Sequence, residues 1–168
     1  IKPAAKKSKT GTIGVLATEG TLNGGHFKNT SKKYAQDKNV MVQVGYGLVE
    51  QVESLQADSL EVSALLKDYI QPMLDNNADH IVLGCTHYPF LIPAIEKITP
   101  KGVTVINPAK AVARQTMKVL EKHGLMNRTG SNPTHHFYSS GDTGLLDKII
   151  EKELQLPSPP EIKKIPMA

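Results

Sequence analysis

Short apolar runs rich in β-branched residues alternate with helical patterns along this chain, and that alternation restricts the fold more than any other feature. Residues 12–17 (TIGVLA), 40–45 (VMVQVG), 80–84 and 103–106 read as strands. A polar turn and a helix over about 23–36 follow the first strand. Between the second and third, Val62, Leu65, Leu66, Tyr69, Ile70 and Met73 share one helical face. Asp58 is the predicted N-cap of that helix, with Glu61 as its reciprocal partner, and Pro72 is expected to bend or shorten the last turn. A helix over about 89–98 comes next. Asn107-Pro108 then opens another that ends at Gly124. Residues 126–133 read as a loop, 135–139 as a strand and 143–154 as a short helix. The tail from Leu156, with Pro157, Pro159, Pro160 and Pro166, is expected to be extended.

Strands separated by helices imply βαβ units and a parallel sheet covered on both faces. Ligands of such sheets bind outside the carboxyl ends of the strands. That rule selects three turns for scrutiny: 18–21, 45–50 and 85–88.

Composition narrows the classes. The chain has 168 residues, 39% hydrophobic and 5% aromatic with no Trp, so its core must be aliphatic. No apolar stretch is long enough for a membrane span and no signal-peptide pattern precedes the first strand. One cysteine allows no internal disulfide, and an unpaired thiol fits a reducing compartment, so the expected location is cytoplasmic. The basic balance sits at the ends. Lys2, Lys6, Lys7 and Lys9, with Lys163 and Lys164 against Glu161, carry +5, leaving −1 for residues 10–160 within the total of +4. With only Arg114 and Arg128 as arginines, no nucleic-acid partner is implied. The first residue is Ile, and a Lys/Ala/Pro stretch precedes the first strand. Residues 1–7 therefore read as a linker entered from upstream, and the chain as a fragment.

Gly84-Cys85-Thr86-His87-Tyr88-Pro89 holds the sole cysteine, directly after the apolar run Ile81-Val82-Leu83. A thiol placed by a strand end and followed by a helix start meets free N–H groups that favour thiolate. His87, two residues on, can relay a proton. The competing reading is a small buried packing residue. Cys85 and His87 supply only two metal ligands, and no CxxC or HxxxH spacing adds others, so no metal is expected. Thr18 and Thr21, in the first turn, can cap a helix or grip a carboxylate. No glycine fingerprint or Gly-Lys-Ser/Thr phosphate loop is present. Glu50 is either a surface residue or a carboxylate that orients an imidazole or receives a substrate ammonium.

Three blocks occur in order: Gly14-Val15-Leu16-Ala17-Thr18-Glu19-Gly20-Thr21, Gly47-Leu48-Val49-Glu50 and Leu83-Gly84-Cys85-Thr86-His87-Tyr88-Pro89. Together they resemble the glutamate racemases of the aspartate/glutamate racemase family, over roughly residues 1–153 and only the second half of the family pattern. The resemblance implies a cofactor-independent enzyme that interconverts L- and D-glutamate for peptidoglycan, using two cysteines on opposite faces of the substrate α-carbon. Cys85 corresponds to the second of these, acting on the L-isomer. Thr86 and His87 correspond to substrate-binding residues, His87 also to the thiol's proton-transfer neighbour. Glu50 resembles a supporting acid, and Thr18 and Thr21 hydroxyls near the substrate.

Gly47 stands where many relatives have Pro, and Asn107 where Asp is common. The family's first cysteine and N-terminal Asp-Ser have no counterpart here, so these residues alone are expected not to racemise. The implied fold is α/β: a flavodoxin-like parallel-sheet domain over 8–105, then, over 106–155, the C-terminal part of a second, pseudo-symmetric domain, with a Pro-rich tail over 156–168. An exposed apolar face on that second part is a candidate surface for a homo-oligomer. Alternatives are an aspartate racemase, a non-catalytic amino-acid-binding module and, last, a nucleotide-binding flavodoxin-like protein.

Overall fold

The structure, a computed structural model, describes residues 1–130, 133–154, 156 and 159–166. The chain divides into two compact units, Ile1–Thr116 and Met117–Ala168.

The first unit is built on strands β1 (Thr12–Ala17), β2 (Asn39–Val44), β3 (His80–Gly84) and β4 (Thr104–Ile106). They form one sheet in the order β2-β1-β3-β4, every pair parallel. This is the flavodoxin-like arrangement, in which the chain winds to one side of β1 and then to the other, leaving a switch point between β1 and β3. Period-two alternation sends successive side chains to opposite faces. Leu16, Ile81 and Leu83 join one core with the helices α4 (Leu48–Glu53), α5 (Leu60–Asp75) and α6 (Ile92–Ile98). Ile13, Val15, Ala17 and Val82 face the other way, against α1 (Lys2–Lys7) and the segment around Ala35. Both faces are apolar because both are covered, which is why β1 reads as a continuous hydrophobic run.

Helix starts follow end-group chemistry, with corrections to the expected bounds. The α5 cap is Ser59, not Asp58: its hydroxyl accepts from the Val62 N–H at 3.1 Å. Ser59 lies one residue nearer to Val62, the first buried position, and Glu61 is left too early in the turn to reach back. Val62, Leu66, Ile70 and Met73 are buried as the periodicity requires. Pro72 does not end the helix, which continues to Asp75. The single helix expected at 23–36 is two, α2 (Glu19–Asn23), capped by Thr18, and α3 (Gly25–Tyr34), separated by the extended backbone of Gly24. The helix expected at 89–98 begins as a 3-10 turn, Tyr88–Leu91, before α6. Pro93, with no N–H to donate, cannot carry an α-helical ladder back through Pro89.

Residues 1–7 are not an extended linker. Lys2–Lys7 is helical, because Ala4 and Ala5 are small enough to bury against the sheet while the lysines stay exposed. Helix α7 (Ala109–Lys122) starts as expected, with the Asn107 side chain accepting from the Ala109 N–H at 2.9 Å. It buries no residue, and Val112, Met117 and Val119 are exposed.

In the second unit, β5 (His136–Ser139) precedes α8 (Thr143–Glu153), which Asp142 caps. The tail holds an unexpected strand, β6 (Glu161–Lys164), paired in parallel with β5. The prolines flanking it have no N–H to donate, but Glu161–Lys164 contains none and can pair. The parts of the expected loop and tail at 131–132, 157–158 and 167–168 lie outside the described residues. Among those described, no helix is long and apolar enough to cross a membrane.

Candidate active site

The sheet register brings the three turns together. Ala17, the last residue of β1, lies beside Val44 on one side and Gly84 on the other. The next residues, Thr18, Gly45 and Cys85, therefore leave the sheet in one row at its carboxyl edge. Two glycines permit the crowding. A Cβ on Gly84 would lie 2.6 Å from the Ala17 Cβ and 3.4 Å from Thr21 Cγ2. A Cβ on Gly45 would run into the Tyr88 hydroxyl.

Tyr88 ties two of the turns. Its ring is fully buried and its hydroxyl donates to the Gly45 carbonyl at 3.0 Å. Burial, with the negative charge of Cys85, Glu50 and Tyr69 adding to it, holds this phenol protonated far above its ordinary range. It is thus a permanent donor. Tyr69 adds a second strap, donating to the Tyr46 carbonyl at 3.0 Å.

Cys85 is half-buried at the mouth of β3. Its Sγ lies 3.8 Å from His87 Nδ1, and His87 Nε2 lies 3.2 Å from Glu53 Oε1. Cysteine, imidazole and carboxylate thus form one chain. The helix expected to activate the thiol is a four-residue 3-10 turn followed by the seven-residue α6, so the imidazole is the sulfur's specific neighbour instead. Because the thiol and carboxylate sit at opposite ring nitrogens, they do not converge on a cation. No cluster of three or more His, Cys, Asp or Glu suited to a metal occurs among the described residues.

Beside the sulfur opens a cleft of about 760 Å³. Thr21, Cys85 and Thr86 line it, and Val15, Phe27 and Val82 supply apolar wall. Of the other residues singled out, His87 reaches the sulfur without lining the cleft. Thr18 does not line it either: its Oγ1 accepts from the Thr21 N–H at 3.4 Å and meets the Thr21 hydroxyl at 3.0 Å, so it caps α2.

Glu50 is exposed in the first turn of α4, and the carboxylate at the imidazole is Glu53, three residues on. Buried Leu48 and Val52 fix the register of α4, leaving both glutamates on its outer flank. Glu53 is the residue that motif reasoning missed. Its one sequence signal is the i, i+3 spacing from Glu50.

Fold and site define a class: a flavodoxin-like α/β protein with a thiol–imidazole pair at the switch point of its sheet. Residues 2–116 match the family model described as Asp/Glu/Hydantoin racemase, and the chain belongs to that family. It is 45% identical over 142 residues to a glutamate racemase of Ralstonia pickettii, covering 84% of this chain and 50% of that protein. With a glutamate racemase of Roseiflexus it shares 40% over 131 residues, covering 78% and 48%. The chain thus spans about half the length of the curated relatives it matches. Among solved structures, a glutamate racemase isoform from Bacillus anthracis superposes with a TM-score of 0.84 at 27% identity, covering 99% of this chain and 63% of that one. A Francisella tularensis glutamate racemase in complex with D-glutamate gives 0.78 at 25%, covering 94% and 58%.

Proposed function

We propose that these residues form one half of a cofactor-independent glutamate racemase, with Cys85 as the acid and base for one face of the substrate α-carbon. The supporting observation is the half-buried sulfur between a cleft and an imidazole, 3.8 Å from His87 Nδ1. An amino-acid α-proton is very weakly acidic, so its base must be precisely held and shielded from water. The Cys85 thiolate takes that proton into a new S–H bond, and a thiol on the opposite face delivers its own proton to the carbon. Two protons move and no electrons are transferred, so the step balances with the two thiols and needs no redox cofactor.

Thr86 and Thr21 are proposed substrate contacts, since both line the cleft beside Cys85. Glu50, one turn before Glu53, is exposed and outside the cleft lining, and is proposed as a further carboxylate near the site for a substrate ammonium. Cys85 is the sole cysteine of these 168 residues, so the second thiol of such a pair lies outside them, in the proposed pseudo-symmetric domain. A thiol that must stay reduced fits the cytoplasm, and the proposed role is supply of D-glutamate for peptidoglycan.

The test uses this chain in deuterated water with L-glutamate, D-glutamate and aspartate, following the α-proton by NMR and the optical rotation. Glutamate, more than aspartate, is expected to protect Cys85 from iodoacetamide, and no sustained D-glutamate should form. Sustained racemisation by the chain alone, or a Cys85 whose alkylation ignores both glutamate and loss of the His87 imidazole, overturns the proposal.

A further inference from the structure

The geometry points to Glu53, rather than Glu50, as the positioning residue of the thiol–imidazole pair: its carboxylate selects the His87 tautomer that faces Cys85 and balances the imidazolium formed when the sulfur gives up its proton. This rests on the proposed racemase reading. A carboxylate only accepts, so at 3.2 Å from Glu53 Oε1 the His87 Nε2 must carry a hydrogen. In the neutral ring, Nδ1 then presents its lone pair to the Cys85 Sγ, 3.8 Å away. The S–H bond can break toward Nδ1, leaving thiolate and imidazolium, with the second ring N–H still held by the carboxylate. When the thiolate takes a substrate α-proton, the sulfur is protonated again and the imidazolium keeps its proton; in the reverse direction the thiol gives its proton to the carbon and the imidazolium reprotonates the sulfur.

The two carriers of this contact are fixed independently of it. α4 ends where the Ser54 N–H and hydroxyl both bond the Glu50 carbonyl, at 2.9 and 2.7 Å. Buried Leu48 and Val52 set its rotation. His87 is held next to Tyr88, whose clamp on Gly45 anchors the 3-10 turn to the segment entering α4. Tyr88 on the 3-10 turn feels the charges of Cys85, of Glu50 on α4 and of Tyr69 on α5. Neither tyrosine competes for the ring, since each donates to a backbone carbonyl.

The experiment compares wild type, H87N, E53Q, E53A and E50Q by iodoacetamide alkylation of Cys85 from pH 5 to 10, with ¹⁵N NMR of the His87 ring. Gln keeps an oxygen acceptor for Nε2–H and removes only the charge. E53Q is therefore expected to retain the Nε2–H tautomer and to react roughly two- to fivefold more slowly at pH 7, the range of a half-exposed ion pair. E53A should slow further and show mixed tautomers. In all variants the rates should converge at high pH, where the thiol ionises without help. If E53Q and E53A match wild type in tautomer and rate while H87N is slowed, the positioning role is wrong and the racemase reading stands. The role is equally wrong if E50Q reproduces the full effect. If H87N also matches wild type and glutamate leaves Cys85 alkylation unchanged, the racemase reading itself fails.

Discussion

Substituting Gly84 by Ala tests whether the active edge of the sheet depends on close approach of β1 and β3. The added Cβ would sit 2.6 Å from the Ala17 Cβ, well inside ordinary carbon–carbon contact, with Thr21 Cγ2 at 3.4 Å. Neither neighbour is the loose end of a long side chain, so the backbone at Ala17 or Cys85 has to move. Overpacking of this kind costs about 1–3 kcal/mol, or roughly 2–10 °C in melting temperature for a chain of this length. The Ala17→Gly variant removes the opposing methyl and costs about 1–2 kcal/mol through lost burial and added backbone freedom. The double variant exchanges the methyl between strands. It should be more stable than the sum of the two costs by about 1–2 kcal/mol, a coupling expected only of touching residues. Thermal and urea unfolding of the four proteins measure this cycle, and iodoacetamide reactivity reports the accompanying displacement of Cys85. A G84A loss below about 0.5 kcal/mol, or strict additivity with A17G, would refute the steric account.

Further outcomes follow from three specific groups. Tyr88→Phe leaves the buried Gly45 carbonyl with only the long bond from the Leu48 N–H at 3.4 Å and should cost about 0.5–1.5 kcal/mol in urea unfolding. In the wild type, Tyr88 should stay protonated in a spectrophotometric titration while exposed tyrosines ionise. Its folded-state pKa is raised, so the stability it confers is intact below about pH 10 and declines as pH climbs beyond. Asp79 behaves oppositely: burial works to raise its pKa, but bonds from His80 Nδ1 at 2.7 Å, the Lys9 N–H at 2.6 Å and the Thr10 N–H at 3.0 Å outweigh it and hold it well below the usual carboxylate range. D79N should cost about 1–3 kcal/mol near neutrality, and the gap to wild type should shrink as pH falls below about 4, measured by unfolding at pH 7 and pH 2.5. Thr18→Ala removes the α2 cap and should cost about 0.5–2 kcal/mol without slowing Cys85 alkylation; a slowed thiol would assign Thr18 to the site.

Much of the fold was legible because it is written in local rules. The continuous apolar runs of β1 and β3, covered on both faces, and the helical face from Val62 to Met73 each report a burial requirement written along the sequence. The carboxyl-edge rule then located the turns bearing Thr21 and Cys85 before any coordinates. The corrections concern choices between chemically similar neighbours. Asp58 and Ser59 are both competent caps, and only the path of the chain into Val62 decided between them. Prolines marked the tail as extended, but nothing local announced that Glu161–Lys164 has β5 to pair with.

The same division governs the chemistry. Residue order alone placed a thiol two positions before an imidazole at a strand end, because that adjacency is covalent. Which carboxylate faces the ring is a different matter, since Glu53 and His87 are separated by 34 positions. Their meeting depends on the rotation of a six-residue helix and on a buried phenol clamping one turn to another. Motif reasoning picked out Glu50 and passed over Glu53, three residues on. The packing of Leu48, Val52 and Tyr88 turns one of them to the imidazole, because core burial is worth more than any single surface charge pair.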